Sequence, residues 1–459
     1  MYNRDTIAAI STPCGEGAIG IVRLSGSNAL KIISTLFKPK NKNSWKKKKT
    51  HTLHFGTLVF KGIELDEVVV SLMKSPNSYT GEDIVEINCH GGWVILSKIL
   101  EAVCAMNARL AEPGEFTKRA FLNEKLELSQ AEAVVDLIKA KTDTAAGIAL
   151  KQLKGTGYKK IKQLNTALIE CMANIEANLD FSDQNLDVEP VSKTVKRLEK
   201  IKTALEAMIE NARKANLFKL GLHITIVGRT NVGKSSLANR LMKNRKIIVT
   251  SLPGTTRDVI EEVINICGIP VVIADTAGIR KHSGKIEEIG QRMTREKVKV
   301  TDVVLAVFDL SRRFTPDDKE IMRHIRGKKG ILLFNKADIT CRMNKNRVRP
   351  EFPHWPEVEI SAKTGRNIKR LKEEIYKLTV GDSPVELEET FISNIRQLEA
   401  LKFAYISVKD ALKALKKGFP EDIAAIEIKE ALNSIGKITG ETTDEEILTS
   451  IFSKFCVGK

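Results

Sequence analysis

The spacing of hydrophobic and polar positions changes along the chain and divides it into regions of different pattern. Residues 1–122 carry short apolar strands between glycine-rich turns and helical patterns, which is typical of an α+β domain. From residue 123 to 216 the pattern is helical, with apolar side chains at spacings of mostly three and four over residues 161–179. Within this region Ser129 and Glu132 form a capping-box signature, which predicts the start of a helix.

Residues 217–383 alternate apolar strands with helical segments, which predicts a doubly wound α/β domain. The pattern then becomes helical again from residue 384 to 459. Two helical regions on either side of an α/β unit predict one helical domain with the α/β domain inserted into it, because exposed loops tolerate such insertions. The predicted fold class is therefore multidomain α/β, with an α+β N-terminal domain, an all-α central domain built from two chain segments, and an inserted doubly wound domain.

A complete phosphate-loop motif opens the inserted domain. Residues 228–235 read Gly-Arg-Thr-Asn-Val-Gly-Lys-Ser, and they follow the apolar run Leu222–Val227 and precede the helix-permissive run Ser235–Met242. In this strand–loop–helix context, backbone N–H groups at the helix N-terminus surround phosphates. Lys234 reaches the outer phosphates and Ser235 offers its hydroxyl to Mg²⁺. The segment therefore predicts a nucleotide triphosphate site.

Three further motifs follow in the order found in Ras-like GTP-binding domains, each at the carboxyl end of a predicted strand. Residues 275–278 (Asp-Thr-Ala-Gly) can hold the Mg²⁺ shell and the γ-phosphate. Residues 335–338 (Asn-Lys-Ala-Asp) place a carboxylate where it accepts from the two N–H donors of guanine, which adenine lacks. Residues 361–363 (Ser-Ala-Lys) match the last base-contacting loop of this class. The four motifs together predict a GTP-hydrolysing G domain.

The residue that follows the Asp-Thr-Ala-Gly motif is Ile279, where many signalling GTPases carry the glutamine that orients the attacking water. An aliphatic side chain cannot orient water, so another group must do so. Glu287 and Glu288 lie just beyond, on a helix-like stretch. Taken by themselves they are either water-positioning carboxylates or ordinary charges on a solvated helix face.

Composition excludes several classes of protein. The apolar fraction is 42% and the charged fraction 29%, and the longest apolar runs, such as Val303–Phe308, are far too short to cross a bilayer. Seven cysteines are scattered without a C-x-x-C pair, which indicates reduced thiols and no zinc site. The first residues contain no apolar signal core, so we expect a cytoplasmic protein with no membrane partner.

The charge balance favours a polyanionic partner. Lys and Arg outnumber Asp and Glu by 74 to 57, giving a net charge of +17, and the simplest partner is RNA, although a generally basic proteome would give the same surplus. The densest patch, Lys38–Lys49, carries seven lysines around Trp45 and is interpreted as an exposed loop. The charge alone does not identify the partner.

Residues 15–20 fit the dinucleotide fingerprint G-x-G-x-x-G, but they run into the strand-like segment Ile19–Leu24 instead of opening a helix. No Asp or Glu occurs between Glu16 and Glu64 to contact a ribose. We therefore expect no nicotinamide or flavin site in this chain, and any flavin must come from a partner.

The segment Gly254-Thr255-Thr256-Arg257-Asp258, between the phosphate loop and Asp275, resembles the MnmE (TrmE) family of tRNA-modification GTPases. The resemblance extends to both ends of the chain. The further matching segments are Asp5-Thr6-Ile7, Thr12-Pro13, Gly20-Ile21-Val22-Arg23, Thr80-Gly81-Glu82-Asp83, His90-Gly91-Gly92, Pro113-Gly114-Glu115-Phe116, Ala120-Phe121-Leu122-Asn123 and the terminal Cys456-Val457-Gly458-Lys459.

This resemblance implies a K⁺ ion where other GTPases use an arginine finger, in a site that forms when two G domains pair across a homodimer. Asn231 would ligate K⁺ by its side chain, and backbone groups of Thr250, Leu252 and Thr255 would complete the cage. Ser235 and Thr256 would hold Mg²⁺. Glu287 would be the catalytic residue that positions water through a bridge, whereas Glu288 stays a solvated charge. The residues expected to contact GTP are Asn231, Val232, Gly233, Lys234, Ser235, Ser236, Thr250, Ser251, Leu252, Pro253, Gly254, Thr255, Thr256, Asp275, Thr276, Ala277, Gly278, Asn335, Lys336, Asp338, Ser361, Ala362 and Lys363.

The resemblance also implies that the N-terminal domain binds a tetrahydrofolate one-carbon carrier, with 5-formyl-tetrahydrofolate as a bound analogue. The matching positions are Arg23, Glu86, Lys125 and Lys459. A carboxylate suits the amide and guanidine-like edge of a pterin, and cationic side chains suit the glutamate tail. Cys456 is implied in the family's chemistry, although by itself it could equally be an inert tail residue.

The predicted protein is thus a K⁺-stimulated, dimerisation-activated GTPase of four segments: residues 1–122 (folate binding and dimerisation), 123–216 (helical), 217–383 (G domain) and 384–459 (helical, with the tail). With a flavoprotein partner resembling MnmG, in an expected heterotetramer that brings FAD, it would add a carboxymethylaminomethyl-type group to carbon 5 of the wobble uridine of certain tRNAs. The sequence leaves open which tRNAs are used and whether glycine or ammonium supplies the amine. The alternatives are a ribosome-assembly GTPase switch resembling Era, without modification activity, and a scaffold in which the helical domain assembles partners.

Overall fold

The N-terminal region forms a mixed sheet. The structure is a computed structural model, which describes residues 5–13, 15–47, 49–180, 189–243, 263–274, 301–382, 392, 394–442 and 444–459. The described strands of this sheet lie in the order β3-β4-β5-β6-β2-β1-β7. They are β1 (Ile7–Ile10), β2 (Gly17–Ser25), β3 (Phe37–Pro39), β4 (Thr52–Phe60), β5 (Ile63–Met73), β6 (Ile84–Gly91) and β7 (Arg109–Leu110). The accompanying helices are α1 (Ala29–Leu36), α2 (Lys42–Lys47), α3 (Trp93–Ala105) and α4 (Glu115–Leu122).

One face of this sheet packs on α1 and α3, which share a hydrophobic core with the strands. The alternation is clear in β4, where His54 and Leu58 are buried whereas Leu53 and Phe55 are exposed. Strand β2 runs through the segment that fits the dinucleotide fingerprint, as its strand-like composition predicts.

The interpretation of Lys38–Lys49 as an exposed loop is confirmed for the exposure of its described lysines but wrong for the loop. Most of this segment belongs to β3 and α2, and Trp45 is only 9% exposed. The Trp45 indole packs edge-on against Phe37 and His54, with ring centroids 4.9 and 5.1 Å away. One buried aromatic side chain therefore anchors a helix whose other residues are polar.

The helical part of the chain comes from both sides of the inserted domain. The helices before it are α5 (Leu128–Lys139), α6 (Asp143–Leu153), α7 (Thr156–Asp180) and α8 (Val191–Leu220). A single hydrophobic core joins α7 and α8 to later helices, which confirms an all-α domain built from two segments. The later helices, numbered after those of the inserted domain, are α12 (Ile395–Lys416), α13 (Glu421–Thr439) and α14 (Glu445–Phe452).

Polar contacts also join the two segments. The buried carboxylate of Glu132 accepts hydrogen bonds from Asn394, Arg396 and Gln397, and the Arg396 pair is bidentate with both distances 2.9 Å. The predicted capping box at Ser129 and Glu132 is wrong, because α5 begins earlier. Glu127 is the N-cap and forms the box with Gln130, which leaves Glu132 free to turn inward.

The inserted domain contains a second sheet, with described strands in the order β13-β12-β11-β8-β10-β9. All neighbours pair in parallel except β9 and β10, which form a hairpin. The strands are β8 (Leu222–Val227), β9 (Val263–Ile266), β10 (Ile269–Ala274), β11 (Val303–Asp309), β12 (Gly330–Asn335) and β13 (Glu357–Glu359). The helices are α9 (Lys234–Met242), α10 (Pro316–Ile325) and α11 (Ile368–Val380).

Two hydrophobic cores, one containing α9 and α11 and the other α10, pack against this sheet, as a doubly wound fold requires. Helix α8 continues to Leu220, beyond the predicted boundary at residues 216 and 217. At this junction the Thr142 hydroxyl donates to the carbonyl of Gly268 (2.8 Å), and Lys219 pairs with Asp136 (2.7 Å). None of the helices described here has both the length and the apolar character that a bilayer span needs.

Candidate functional site

The phosphate loop connects β8 to α9 at the carboxyl edge of the second sheet. Asn231 and Gly233 both have positive φ, at 60° and 99°, so the loop turns sharply before α9 begins at Lys234. At Gly233 a side chain would also collide with the amide nitrogen of Asn335. Glycine is required there for both reasons.

Lys234 folds over this loop. Its Nζ donates hydrogen bonds to the carbonyls of Gly228 and Arg229, each at 2.6 Å. Ser235 follows in the first turn of α9 and is half-buried, whereas Asn231 and Ser236 are exposed. The first turn thus combines the backbone N–H groups of a helix start, an ammonium and a hydroxyl, a combination suited to phosphate and a divalent cation.

Asn335, the last residue of β12, links two loops of the site. Its Nδ2 donates to the carbonyl of Val232 (2.7 Å), and its Oδ1 accepts from the N–H of Ala362 (3.0 Å). The residue is 2% exposed, so these bonds form away from water. Asn335 therefore holds the phosphate loop beside the predicted base-contacting loop at residues 361–363.

Lys336 adopts a positive φ of 66° and pairs with Asp309 at the end of the neighbouring strand β11, with Nζ to Oδ2 at 2.6 Å. Burial of Asp309 by itself would raise its pKa, but hydrogen bonds from Lys336 and Ser311 outweigh burial and keep the pKa below its usual value. Asp309 therefore stays ionised at neutral pH and fixes the Lys336 side chain across the edge of the sheet.

Asp338 is exposed at the same edge, and a hydrogen bond from the Ser361 hydroxyl lowers the pKa of its carboxyl group. Ser361 itself is fully buried. Arg240 of α9 donates to the carbonyls of Ala362 and Lys363 and so fixes this loop from the other side. An ionised carboxylate hydrogen-bonded to a fixed loop is suited to recognition of the guanine N–H donors.

Arg229 is a site residue that sequence reasoning missed. Its guanidinium lies 3.2 Å from the carboxylate of Asp318 and donates to the hydroxyl of Thr315 (2.7 Å), both at the N-terminus of α10. Arg229 thus ties the phosphate loop to α10 and does not reach across it as an arginine finger. The capping box formed by Thr315 and Asp318 marks the start of α10, but it does not indicate the contact with Arg229.

The remaining residues predicted for the nucleotide site lie outside the described residues. The described strand β10 ends at Ala274, one position before the predicted Mg²⁺-binding motif, and runs parallel to β8. The predicted residues in question are Thr250, Ser251, Leu252, Pro253, Gly254, Thr255, Thr256, Asp275, Thr276, Ala277, Gly278 and Glu287.

A second polar cluster lies in the N-terminal domain. Arg23 of β2 and Glu86 of β6 are direct neighbours in the sheet and form an ion pair, with Nη2 to Oε1 at 2.7 Å. Both side chains are about one fifth exposed, so the pair is shielded but reachable. The third guanidinium nitrogen, Nη1, donates to the carbonyl of Gly458 (3.3 Å), and the Ser11 hydroxyl donates to the same carbonyl (3.2 Å).

The C-terminal tail therefore meets the first domain. Gly458 is buried with φ at 95°, and a side chain there would strike the backbone of Ile10. The N–H of Gly114 donates to the carbonyl of Cys456 (3.4 Å), while the Cys456 side chain is exposed. Lys459, at the end of this tail, is half-buried.

Three of the four predicted folate-binding positions thus belong to one region, which comprises Arg23, Glu86 and the tail that carries Lys459. Lys125 is exposed, and its side chain lies beside Gly81. No described contact joins Lys125 to the Arg23 pair.

Aromatic side chains border this cluster, and sequence reasoning did not identify them. The Arg23 guanidinium carbon lies 5.7 Å from the ring centroid of Phe116. Tyr79 packs on the same small core and shares a hydrogen bond with Thr117. Burial raises the pKa of Tyr79, although Thr117 and the positive charge of Arg23 oppose that rise. The Phe116 ring is fully buried and supports the guanidinium from below, whereas Tyr79 is partly exposed. The cluster thus combines an ion pair with one reachable aromatic ring, which suits a ligand with polar edges.

Comparison with known proteins covers nearly the whole sequence. Residues 6–125 match a family model described as the N-terminus of the GTP-binding protein TrmE, and residues 128–456 match one described as the MnmE helical domain. The tRNA modification GTPase MnmE of Thermoanaerobacter pseudethanolicus is 43% identical over 457 residues, covering 99% of each chain. The proteins of the same name from Clostridioides difficile and Geobacillus kaustophilus are 40% and 41% identical, covering 100% of each chain.

Proposed function

This chain belongs to the MnmE family of tRNA modification GTPases, and we propose that it is a K⁺-stimulated enzyme whose GTP hydrolysis drives modification of the wobble uridine. The observation that supports the proposal is the presence of two separate clusters of polar side chains in one chain. The inserted domain holds a phosphate loop fixed to a base-contacting loop, and the N-terminal domain holds the Arg23–Glu86 pair with the docked tail. A GTPase switch resembling Era would need only the first of these.

In the nucleotide site each residue has a defined task. Lys234 and the backbone N–H groups around it bind the phosphates. Asp338 accepts from the guanine edge. Asn335 and Arg240 keep in place the neighbouring loop at residues 361–363, whose Ser361 hydroxyl bonds to Asp338. Ser235 would supply a hydroxyl ligand to Mg²⁺, together with Thr256. The half-buried position of Ser235 in the first turn of α9 fits that role.

For K⁺, Asn231 would be the side-chain ligand, with backbone groups of Thr250, Leu252 and Thr255. Asn231 is exposed at a positive φ within the loop, so its side chain is available at the surface where two G domains of a homodimer would pair. A caged cation at this position supplies the positive charge that an arginine finger supplies elsewhere. Arg229 cannot do this while Asp318 and Thr315 bind it. Glu287 would position the attacking water.

At the N-terminal domain, Arg23, Glu86, Lys125 and Lys459 would bind a tetrahydrofolate one-carbon carrier. Glu86 would accept from the pterin edge, and the cationic side chains would bind the glutamate tail. A flavoprotein partner resembling MnmG would bring FAD in a heterotetramer. The product would be a carboxymethylaminomethyl-type group on carbon 5 of the wobble uridine in certain tRNAs, and the exposed Cys456 would take part in that chemistry.

The decisive experiment is nucleoside mass spectrometry of tRNA from a strain that lacks this gene. We expect wobble uridines without the carbon 5 substituent, restored by the wild-type gene. Fully modified tRNA together with immature ribosomal subunits would contradict the proposal and favour the switch resembling Era.

Two measurements on the purified protein test the parts separately. GTP turnover should be much faster in KCl than in NaCl at equal ionic strength, and Asn231→Ala should lose this preference. Arg23→Ala should weaken binding of 5-formyl-tetrahydrofolate at unchanged GTP affinity, whereas Arg213→Ala on the solvent-facing side of α8 should change neither. Equal turnover in both salts would refute the K⁺ site, and unchanged folate binding by Arg23→Ala would refute the folate site.

A further inference from the structure

The stretch between Glu16 and Glu64 has an unusual charge composition. It contains ten Lys and Arg residues and no Asp or Glu, in a chain whose total net charge is +17. Most of these cations fall in β3, α2 and the residues that follow α2. The excess positive charge of the protein is therefore concentrated on one small part of the N-terminal domain.

The structure holds this segment in a fixed position. Trp45 packs between Phe37 and His54, as described above. At the start of α2 the side chain of Asn41 accepts from the N–H of Ser44 (3.0 Å), which caps the helix. The His54 ring contacts the hydroxyls of Ser44 (3.4 Å) and Thr52 (2.9 Å). A short helix that would not be stable alone is thus fastened to β4.

The lysines of this segment point into solvent. We name the following exposed residues the lysine platform: Lys38, Lys40, Lys42, Lys46, Lys47 and Lys49. Among the described residues one ion pair involves the platform, between Lys40 and Glu67 (3.0 Å), and both of those side chains are more than half exposed. Lys42 and Lys46 are four positions apart on α2, where like charges repel. A polyanion would relieve that repulsion.

We propose that the lysine platform is a docking surface for the sugar–phosphate backbone of tRNA. This inference rests on the proposed function, which makes tRNA the substrate. Lysine ammonium groups bind phosphates without reading bases, so the platform would position tRNA and would not select its sequence. The platform differs from a membrane-binding helix, because the only aromatic or aliphatic side chain of α2 is Trp45, which is buried and cannot insert into lipid.

The test is binding of an unmodified tRNA transcript to the full-length protein, measured by fluorescence anisotropy between 50 and 250 mM KCl. The variant replaces Lys42, Lys46, Lys47 and Lys49 with Gln. Each phosphate contact contributes about 0.9, or about 0.7 in single-stranded regions, to the slope of log K against log salt. If two to four contacts are lost, the slope should fall by about 1.5–3.5 and the affinity at 100 mM KCl by at least about tenfold.

Two matched variants accompany this one. Replacing the same four lysines with Arg keeps the charge and should keep both the affinity and the slope. A second variant carries Gln at four exposed lysines of the helical domain, and so loses the same net charge elsewhere, with an expected change in affinity of less than about threefold. Its positions are Lys409, Lys413, Lys417 and Lys429.

Equal losses in the platform and helical-domain variants would overturn the proposal, because net charge and not the platform would then determine binding. Unchanged tRNA binding by the platform variant would overturn it as well. The proposal would also be wrong if the platform variant lost binding to anionic phospholipid vesicles but kept its affinity for tRNA. The wobble-uridine measurement stays independent of these results. Unmodified uridines in the gene-deletion strain, together with normal tRNA binding by the platform variant, would leave the proposed function intact and refute the platform alone.

Discussion

Asn335→Ala should strongly reduce GTP affinity even though the Asn335 side chain faces the protein interior. The substitution removes two hydrogen bonds, at 2.7 Å to the carbonyl of Val232 and 3.0 Å from the N–H of Ala362. Both backbone groups are buried, and leaving such a group unpaired costs roughly 1–3 kcal/mol. The two losses together amount to about 2–4 kcal/mol, allowing for partial rearrangement or hydration of the loops.

In the free variant the direct link between the phosphate loop and residues 361–363 would be lost, and only the bonds from Arg240 of α9 would remain, so GTP binding would have to order both loops. At 1.4 kcal/mol for each factor of ten, the dissociation constant for GTP should rise roughly 30- to 700-fold. Isothermal titration calorimetry measures this rise directly. Asn239→Ala, on the exposed side of α9, is the matched control and should leave the affinity unchanged.

A second comparison separates this positioning role from base recognition. Asp338→Asn should shift preference from guanine to xanthine, because an amide donor then faces a base that carries a carbonyl where guanine has its amine. Asn335→Ala should instead weaken GTP binding in the wild-type background and xanthosine triphosphate binding in the Asp338→Asn background by the same factor. A GTP dissociation constant for Asn335→Ala within threefold of the wild-type value would refute the reasoning.

Two further predictions concern stability. Arg396→Ala should lower the free energy of unfolding by about 3–5 kcal/mol, because the buried carboxylate of Glu132 would lose its bidentate partner. Urea denaturation followed by circular dichroism checks this, and a Glu132→Leu, Arg396→Leu double variant should recover much of the loss. Burial lowers the pKa of His54 below 6.5, so the unfolded state takes up the proton first as the pH falls. The attachment of α2 should therefore be fully stable above pH 6.5 and weaken below it. Hydrogen exchange of α2 amides at pH 7 and 5.5, corrected for intrinsic rates, measures this, and His54→Phe should abolish the difference.

Elements with strong local signals could be predicted from the sequence almost to the residue. The apolar run Leu222–Val227 is the observed β8, and α9 begins at Lys234, one residue before its predicted start. Here the glycine positions, the strand pattern and the helix pattern all lie within about twenty residues and predict the same strand–loop–helix unit. The strands predicted over residues 271–274 and 331–334 are observed as β10 and β12, which begin two residues and one residue earlier, and β12 ends one residue later.

The predictions were wrong where a single side chain packs differently from what the composition of the neighbouring residues indicates. The lysines around Trp45 are typical of a solvated loop, but the indole packs against Phe37 of β3 and His54 of β4, contacts that no local pattern reveals. At α5, Ser129 has the better intrinsic capping propensity, yet Glu127 caps the helix and Glu132 turns inward to Arg396. Tertiary packing decided both cases.

Contacts between residues distant in sequence could not be predicted, because the spacing of apolar residues gives information only about local structure. Arg229 meets Asp318 through the folding of the sheet, and the tail reaches Arg23 across almost the whole chain. The family resemblance named Arg23 and Glu86 as functional, but it did not show that they pair with each other. It also gave no sign that Asn335 serves as a link between loops.

The docking of the tail has a consequence for biosynthesis. Ser11 and Gly458 are 447 positions apart, and ribosomes add about 5–20 residues per second, so roughly 20–90 s separate the synthesis of these two partners. During that interval β2 and β6 can pair while Arg23 still lacks one of its oxygen partners. A nascent polypeptide that stalls before residue 458 would carry a finished phosphate loop and an incomplete neighbourhood around Arg23. The hydrogen-bonded neighbourhood of Arg23 is therefore completed only after residue 458 has been translated.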